Sequence, residues 1–108
     1  CPLLIYIPWL KGNNRKISFP VINTDFYPTI LDMAGIDLIP NQHLDGISLK
    51  KVFMGGHLPV RSFFWHYPHY GNEEGQPSSI IRKDKWKMIH YWEGDYNKLY
   101  NLNTDSIE

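Results

Sequence analysis

A chain of 108 residues makes one small domain at most, or a piece of a larger one. Eleven Lys and Arg balance eleven Asp and Glu, so no net attraction to nucleic acid or to an anionic membrane follows from charge. A single cysteine excludes an internal disulfide framework and a multi-cysteine metal site, and no apolar run approaches the ~18 residues needed to span a bilayer.

Leu3-Leu4-Ile5-Tyr6-Ile7 is a continuous apolar run between Pro2 and Pro8. Its length and flanking prolines predict a buried strand, which needs cover on both faces. Lys11 to Lys16 reads as a solvated turn and Ser18 to Ile22 as a second extended piece. Asn23, Thr24 and Asp25 then offer N-cap chemistry. Phe26, Ile30 and Met33 follow at helical spacing, with Pro28 in the first turn and Gly35 as the terminating residue. In this helix Asp25 reads as a local capping acid. Ile36 to Leu44 reads as loop. Asp45-Gly46 is a turn, and Ser48 caps a short helix through Leu49, Val52 and Phe53 that Gly55-Gly56 stops.

Residues 61–67 are predicted as a strand ending in a run unusually dense in chemistry. Phe63 to Tyr70 carries five aromatic rings and two histidines in eight residues, and breaks into Gly71, Gly75 and Pro77. Ser79 to Arg82 and Trp86 to Trp92 read as two strands turned by Lys83-Asp84-Lys85. Glu93-Gly94-Asp95 turns into a last strand from Lys98 to Leu102. Three strands joined by short turns make an antiparallel meander. The order is strand, helix, short helix, meander: an α/β element running into an α+β tail.

Several stretches together resemble the type I sulfatases of the alkaline-phosphatase-like superfamily. They are Cys1-Pro2-Leu3-Leu4-Ile5, Asn23 through Gly35, Asp45-Gly46-Ile47-Ser48-Leu49, Trp65-His66-Tyr67-Pro68-His69-Tyr70, Ser79-Ile80-Ile81-Arg82 through Trp86-Lys87, and Leu99-Tyr100-Asn101-Leu102 with Asp105. The Trp65–Tyr70 motif is similar to one in a bacterial subgroup. The resemblance covers the whole chain in order. It implies that these are the C-terminal residues of a longer enzyme. On this division, residues 1–58 close the large α/β domain and residues 59–108 form a small four-stranded antiparallel subdomain. A chain that lacks an initiator Met and starts in mid-pattern fits that expectation.

The resemblance also implies what the chain does not carry. Sulfatases oxidise the first residue of Cys-x-Pro-x-Arg or Ser-x-Pro-x-Arg to formylglycine and bind a divalent cation, calcium, with acids that precede this region. Cys1 is followed directly by Pro2 and has Ile5 where the arginine belongs, so it is not that residue. Sulfate ester cleavage needs an activated nucleophile and cationic groups on the sulfate oxygens. These residues alone supply neither a cofactor site nor a nucleophile. They are expected to close one side of the pocket for a sulfated carbohydrate or other sulfate ester, in contact with the remainder of the sulfatase chain. A periplasmic or secreted location goes with the family.

Within that frame the candidate substrate-binding residues are His69 first, then His66, Tyr70 and Arg82. Imidazoles hydrogen-bond hydroxyls or, when protonated, pair with sulfate, and aromatic rings stack on sugar faces. His66 and His69 as metal ligands would need two more donors, with Glu73 and Glu74 nearby; as core residues they would need none. Ser78-Ser79 has no base near it in sequence, His90 reads as structural, and His43 and His57 sit in loops. Two rival readings remain open. One is a phosphodiester or phosphonate hydrolase of the same superfamily; the other is a carbohydrate-binding or structural module built on the aromatic strand.

If Leu3 to Ile7 lacks cover, residues 1–108 expressed alone will expose apolar surface and self-associate, which light scattering will show. A strictly monomeric, cooperatively melting fragment would contradict this.

Overall fold

Helix α1, Phe26–Met33, grows out of a 3-10 turn, Asn23–Asp25, in the computed structural model, which describes residues 3–11, 15–71 and 75–105. Cys1, Pro2, the 12–14 part of the early turn, Glu73 and Glu74 lie outside the described residues. Pro28 falls among the first N–H positions of the helix, which have no intrahelical acceptor anyway. Gly35 ends the helix in the left-handed region (φ 71°). Its N–H reaches the Asp32 carbonyl (3.2 Å), and the Ile36 N–H reaches Leu31 (2.9 Å), a complete Schellman closure.

The apolar stripe that predicted this helix is not what holds it. Ile30 is 66% exposed and Phe26 is exposed as well, whereas Asp25 and Thr29 are buried. Asp25, Thr29 and Asp32 lie at i, i+4 and i+7, one face of the helix. That face receives the segment from Ile47 to Lys50. The Ile47 N–H donates to Asp25 Oδ1 (3.1 Å) and the Leu49 N–H to Thr29 Oγ1 (2.9 Å). Ser48 Oγ and Lys50 Nζ donate to the two Asp32 oxygens (2.6 and 2.8 Å). These bonds from Lys50 and then Ser48 hold the Asp32 carboxyl below its usual range. Thr29 Oγ1 in turn donates to the Asp25 carbonyl (2.5 Å).

Asp25 is therefore more than a local cap. It accepts the Ile22 N–H on Oδ2 (3.0 Å), as capping predicts, and the same oxygen pairs with Arg61, 36 residues away. Its exposure is 0%, so its charge is tenable only because backbone donors and a guanidinium surround it. Gly46 makes the approach possible: a Cβ there would stand 2.1 Å from the Thr24 carbonyl oxygen. Helix α2, Lys50–Phe53, follows at once, with Ser48 Oγ accepting the Lys50 N–H (3.2 Å). The loop from Ile36 to Leu44 contains a 3-10 turn, Pro40–Gln42, that the sequence did not signal.

Four strands complete the chain: β1 Ser62–Tyr67, β2 Ser78–Lys83, β3 Trp86–Tyr91 and β4 Tyr96–Asn101. They form one antiparallel sheet in sequential order. Asp84 (φ 51°) makes the tight β2–β3 turn, and Gly94 and Asp95 (φ 81° and 48°) the β3–β4 turn. The strand predicted at Leu3 to Ile7 does not form among the described residues, and the extended piece Ser18 to Ile22 joins no sheet there. A strand exists through its ladder partner, and no described segment offers one. Leu4 is 97% exposed; only Ile7 of the first run is buried.

No helix comes within 8 Å, Cα to Cα, of a strand among the described residues. Arg61, just before β1, joins the two parts by its pair with Asp25 and by lying over the Phe63 ring (4.5 Å). The radius of gyration is 16.7 Å, against about 13 Å for a compact domain of this length.

Replacing Asp25 by Ala in the intact protein will lower its unfolding free energy by about 3 kcal/mol, because Arg61 and two N–H groups lose their acceptor. Gly46→Ala will be comparably damaging, and Asp45→Ala, on the exposed side of the same turn, close to neutral. Denaturant unfolding of the three variants checks this; equal effects would show that the buried carboxylate is unimportant.

Candidate functional site

Side chains directly opposite one another in an antiparallel sheet share a face. His66 stands opposite Ser79, Ser79 opposite His90, and His90 opposite Asn97. Arg82 stands opposite Phe63 and Lys87, on the other face. The four candidate residues therefore do not converge. His66 belongs to one face, Arg82 to the other, and His69 and Tyr70 lie beyond the end of β1.

The His66 row is built around an indole. Trp92 donates its Nε1–H to Ser79 Oγ (3.1 Å), and Ser79 Oγ is 2.7 Å from His66 Nδ1. The indole N–H can only donate, so Ser79 Oγ accepts from Trp92 and is still able either to donate to His66 Nδ1 or to accept from it. Trp92 stands edge-on to both the His66 ring (6.1 Å) and the His90 ring (4.5 Å). Its backbone N–H is tied to the Pro77 carbonyl (3.0 Å), which sets the indole at the sheet end. His90 Nδ1 meets Asn97 Oδ1 at 3.1 Å, with the Asp95 carboxylate 3.9 Å from Nε2.

The loop after β1 leans on the same end. The Gly71 N–H bonds the Gly75 carbonyl (2.8 Å) and pinches the loop, and the Tyr70 hydroxyl donates to the Glu93 carboxylate. That carboxylate holds the Tyr70 hydroxyl above its usual range. His69 is exposed and stands edge-on to Tyr67 (5.8 Å). This end of the sheet thus offers two outward imidazoles and exposed aromatic rings. Such a surface suits hydroxyls, sugar faces and anionic oxygens.

Ser79 does have a histidine beside it in space, though none in sequence. Among the described residues no acid orients His66 from its other side, and Trp92 donates to the Ser79 oxygen, so the described pair lacks the organisation of a nucleophile and base. Trp92, Ser79 and Glu93 were not legible as site residues, because their places depend on the register of two hairpins. Among the described residues, no three His, Cys, Asp or Glu side chains converge.

Arg82 has a different setting. It lines a cleft of about 580 Å³ with Leu3, Ile5, Val21 and Leu49, and Trp65 stands beside it. Its Nε is buried and has no hydrogen-bond partner among the described residues.

Comparison with known proteins gives this geometry a family. The model of the N-sulphoglucosamine sulphohydrolase C-terminal domain matches residues 1–108. The chain belongs to that family. It is 32% identical to arylsulfatase K of Mus musculus over 99% of this chain and 20% of that protein. It is 31% identical to an N-acetylglucosamine-6-O-sulfatase of Bacteroides thetaiotaomicron, again over 99% and 20%. The chain thus spans about a fifth of the length of these relatives, which come from a mammal and a bacterium alike. A structure solved in complex with its substrate D-glucosamine-2-N,6-O-disulfate shares 31% identity and superposes with a TM-score of 0.63, covering 76% of this chain and 17% of the other. A 2-O GAG sulfatase shares 29% identity with a TM-score of 0.56 over 76% and 18%. The four-stranded sheet and preceding helices are the C-terminal part of a sulfatase fold.

Proposed function

We propose that this chain is the C-terminal portion of a sulfatase that hydrolyses sulfate esters of a sulfated carbohydrate, with glucosamine sulfates the first class to try. The match of the sulphohydrolase C-terminal family over residues 1–108 carries the reading. The named substrates of similar sulfatases, N-acetylglucosamine 6-O-sulfate and glucosamine disulfate, support the substrate class.

In this reading the hydrolytic machinery lies in the rest of the polypeptide. A formylglycine and a calcium ion, if bound there as the family resemblance implies, would supply the nucleophile and neutralise the sulfate. The present residues act on the sugar. His66, His69 and Tyr70 are exposed, and Tyr70 is held by Glu93. They orient the sugar and contribute to binding rather than to bond cleavage. A periplasmic or secreted location accords with a polysaccharide substrate.

The test is sulfate release by the intact protein from N- and O-sulfated glucosamines. His69→Ala should raise KM about tenfold, as expected for losing one hydrogen bond to a charged group, with kcat nearly unchanged. Hydrolysis of phosphodiesters with no sulfate release from any sulfated sugar would overturn the reading.

A further inference from the structure

We propose that Arg82 anchors an interface within the polypeptide: its guanidinium pairs with a carboxylate on an apolar segment that lies outside residues 1–108. This goes beyond the sulfatase reading and does not depend on which sugar is cleaved.

Four observations carry it. Arg82 Nε is shut off from water and has no acceptor among the described residues, a state that is unfavourable until an acceptor arrives. The cleft it lines is walled mainly by aliphatic and aromatic side chains, among them Leu3, Ile5, Val21, Leu49 and Trp65. Its two charged lining residues are both cations, Arg15 and Arg82, and Arg15 is already engaged with the Phe53 carbonyl. An occupant that satisfies this cleft offers apolar side chains to these walls and a negative charge to Arg82.

The third observation is position. The cleft is on the sheet face opposite His66, Ser79 and His90, so one small sugar cannot touch both Arg82 and the His66 row. The fourth is length. Similar sulfatases are about five times longer than this chain, so the same polypeptide has the material to fill the cleft. The segment Leu3–Ile5, which borders the cleft and pairs with no strand, would gain its missing cover from the same occupant.

The experiment uses the full-length protein. Arg82→Met keeps an unbranched apolar stem and removes the guanidinium charge, leaving the partner carboxylate buried and unpaired. The melting temperature should fall by several degrees, while KM for a sulfated glucosamine, measured well below that temperature, stays within about twofold of wild type. A tenfold rise in KM with an unchanged melting temperature would make Arg82 a substrate group and overturn the proposal. No change in either quantity would overturn it too, since no charge would then depend on Arg82.

Should Arg82→Met not fold, Arg82→Lys with a carbodiimide gives an independent answer. The new amine should form a zero-length cross-link to an Asp or Glu outside residues 1–108, identified by mass spectrometry. Cross-links only to acids inside residues 1–108, or none, would refute the interface. The melting temperature and the cross-link do not require sulfatase activity, so failure of the interface is distinct from failure of the proposed function.

Discussion

The buried carboxylate of Asp25 is the constraint on which the described structure turns. A charge with no exposure must be fully paired, and the pairing fixes three separate pieces of chain at once. Ile22 is held at the helix start, Ile47 at the turn after Gly46, and Arg61 at the doorway to the sheet. Thr29 and Asp32 extend the same stitch along α1 to Leu49, Ser48 and Lys50. Polar bonds thus do much of the work usually done by a core. Only Ile7, Leu49, Val52 and Phe63 are buried hydrophobic residues among those described. The apolar stripe of α1 instead faces a second cleft, lined by Ile5, Trp9, Phe26, Ile30 and Met33.

How much of this the sequence reveals depends on the range of the interaction. Helix ends are local, and Asn23 through Gly35, Ser48 and Gly55-Gly56 mark both helices within a residue or two. The sheet strands are legible because Lys83-Asp84-Lys85 and Glu93-Gly94-Asp95 can only turn the chain back. Asp25 looked like a cap because Ile22 is three residues away, while Ile47 and Arg61 are invisible to local reading. The periodicity of Phe26, Ile30 and Met33 is real but competes with a polar stripe of the same spacing on the same helix. Leu3 to Ile7 carries a strand's composition without a described neighbour to pair with, and composition alone cannot supply a ladder.

The site shows the same division. His66, His69 and Tyr70 stood out because aromatic and imidazole side chains crowd a strand end. Trp92 and Ser79 did not, although Ser79 links the Trp92 indole to His66. Period-two alternation separates Arg82 from that row, but only once the register is known. In the proposed roles, one end of the sheet meets a sugar and the opposite face, where Arg82 lines its cleft, meets another part of the protein.

The measurement that tests this account most directly is a crystal structure of the intact protein with a sulfated glucosamine bound. Hydrogen bonds from His69 or His66 to the sugar are expected, with Arg82 paired to an acid elsewhere in the polypeptide. An Arg82 guanidinium on the ligand's sulfate, with both histidines facing solvent, would contradict it.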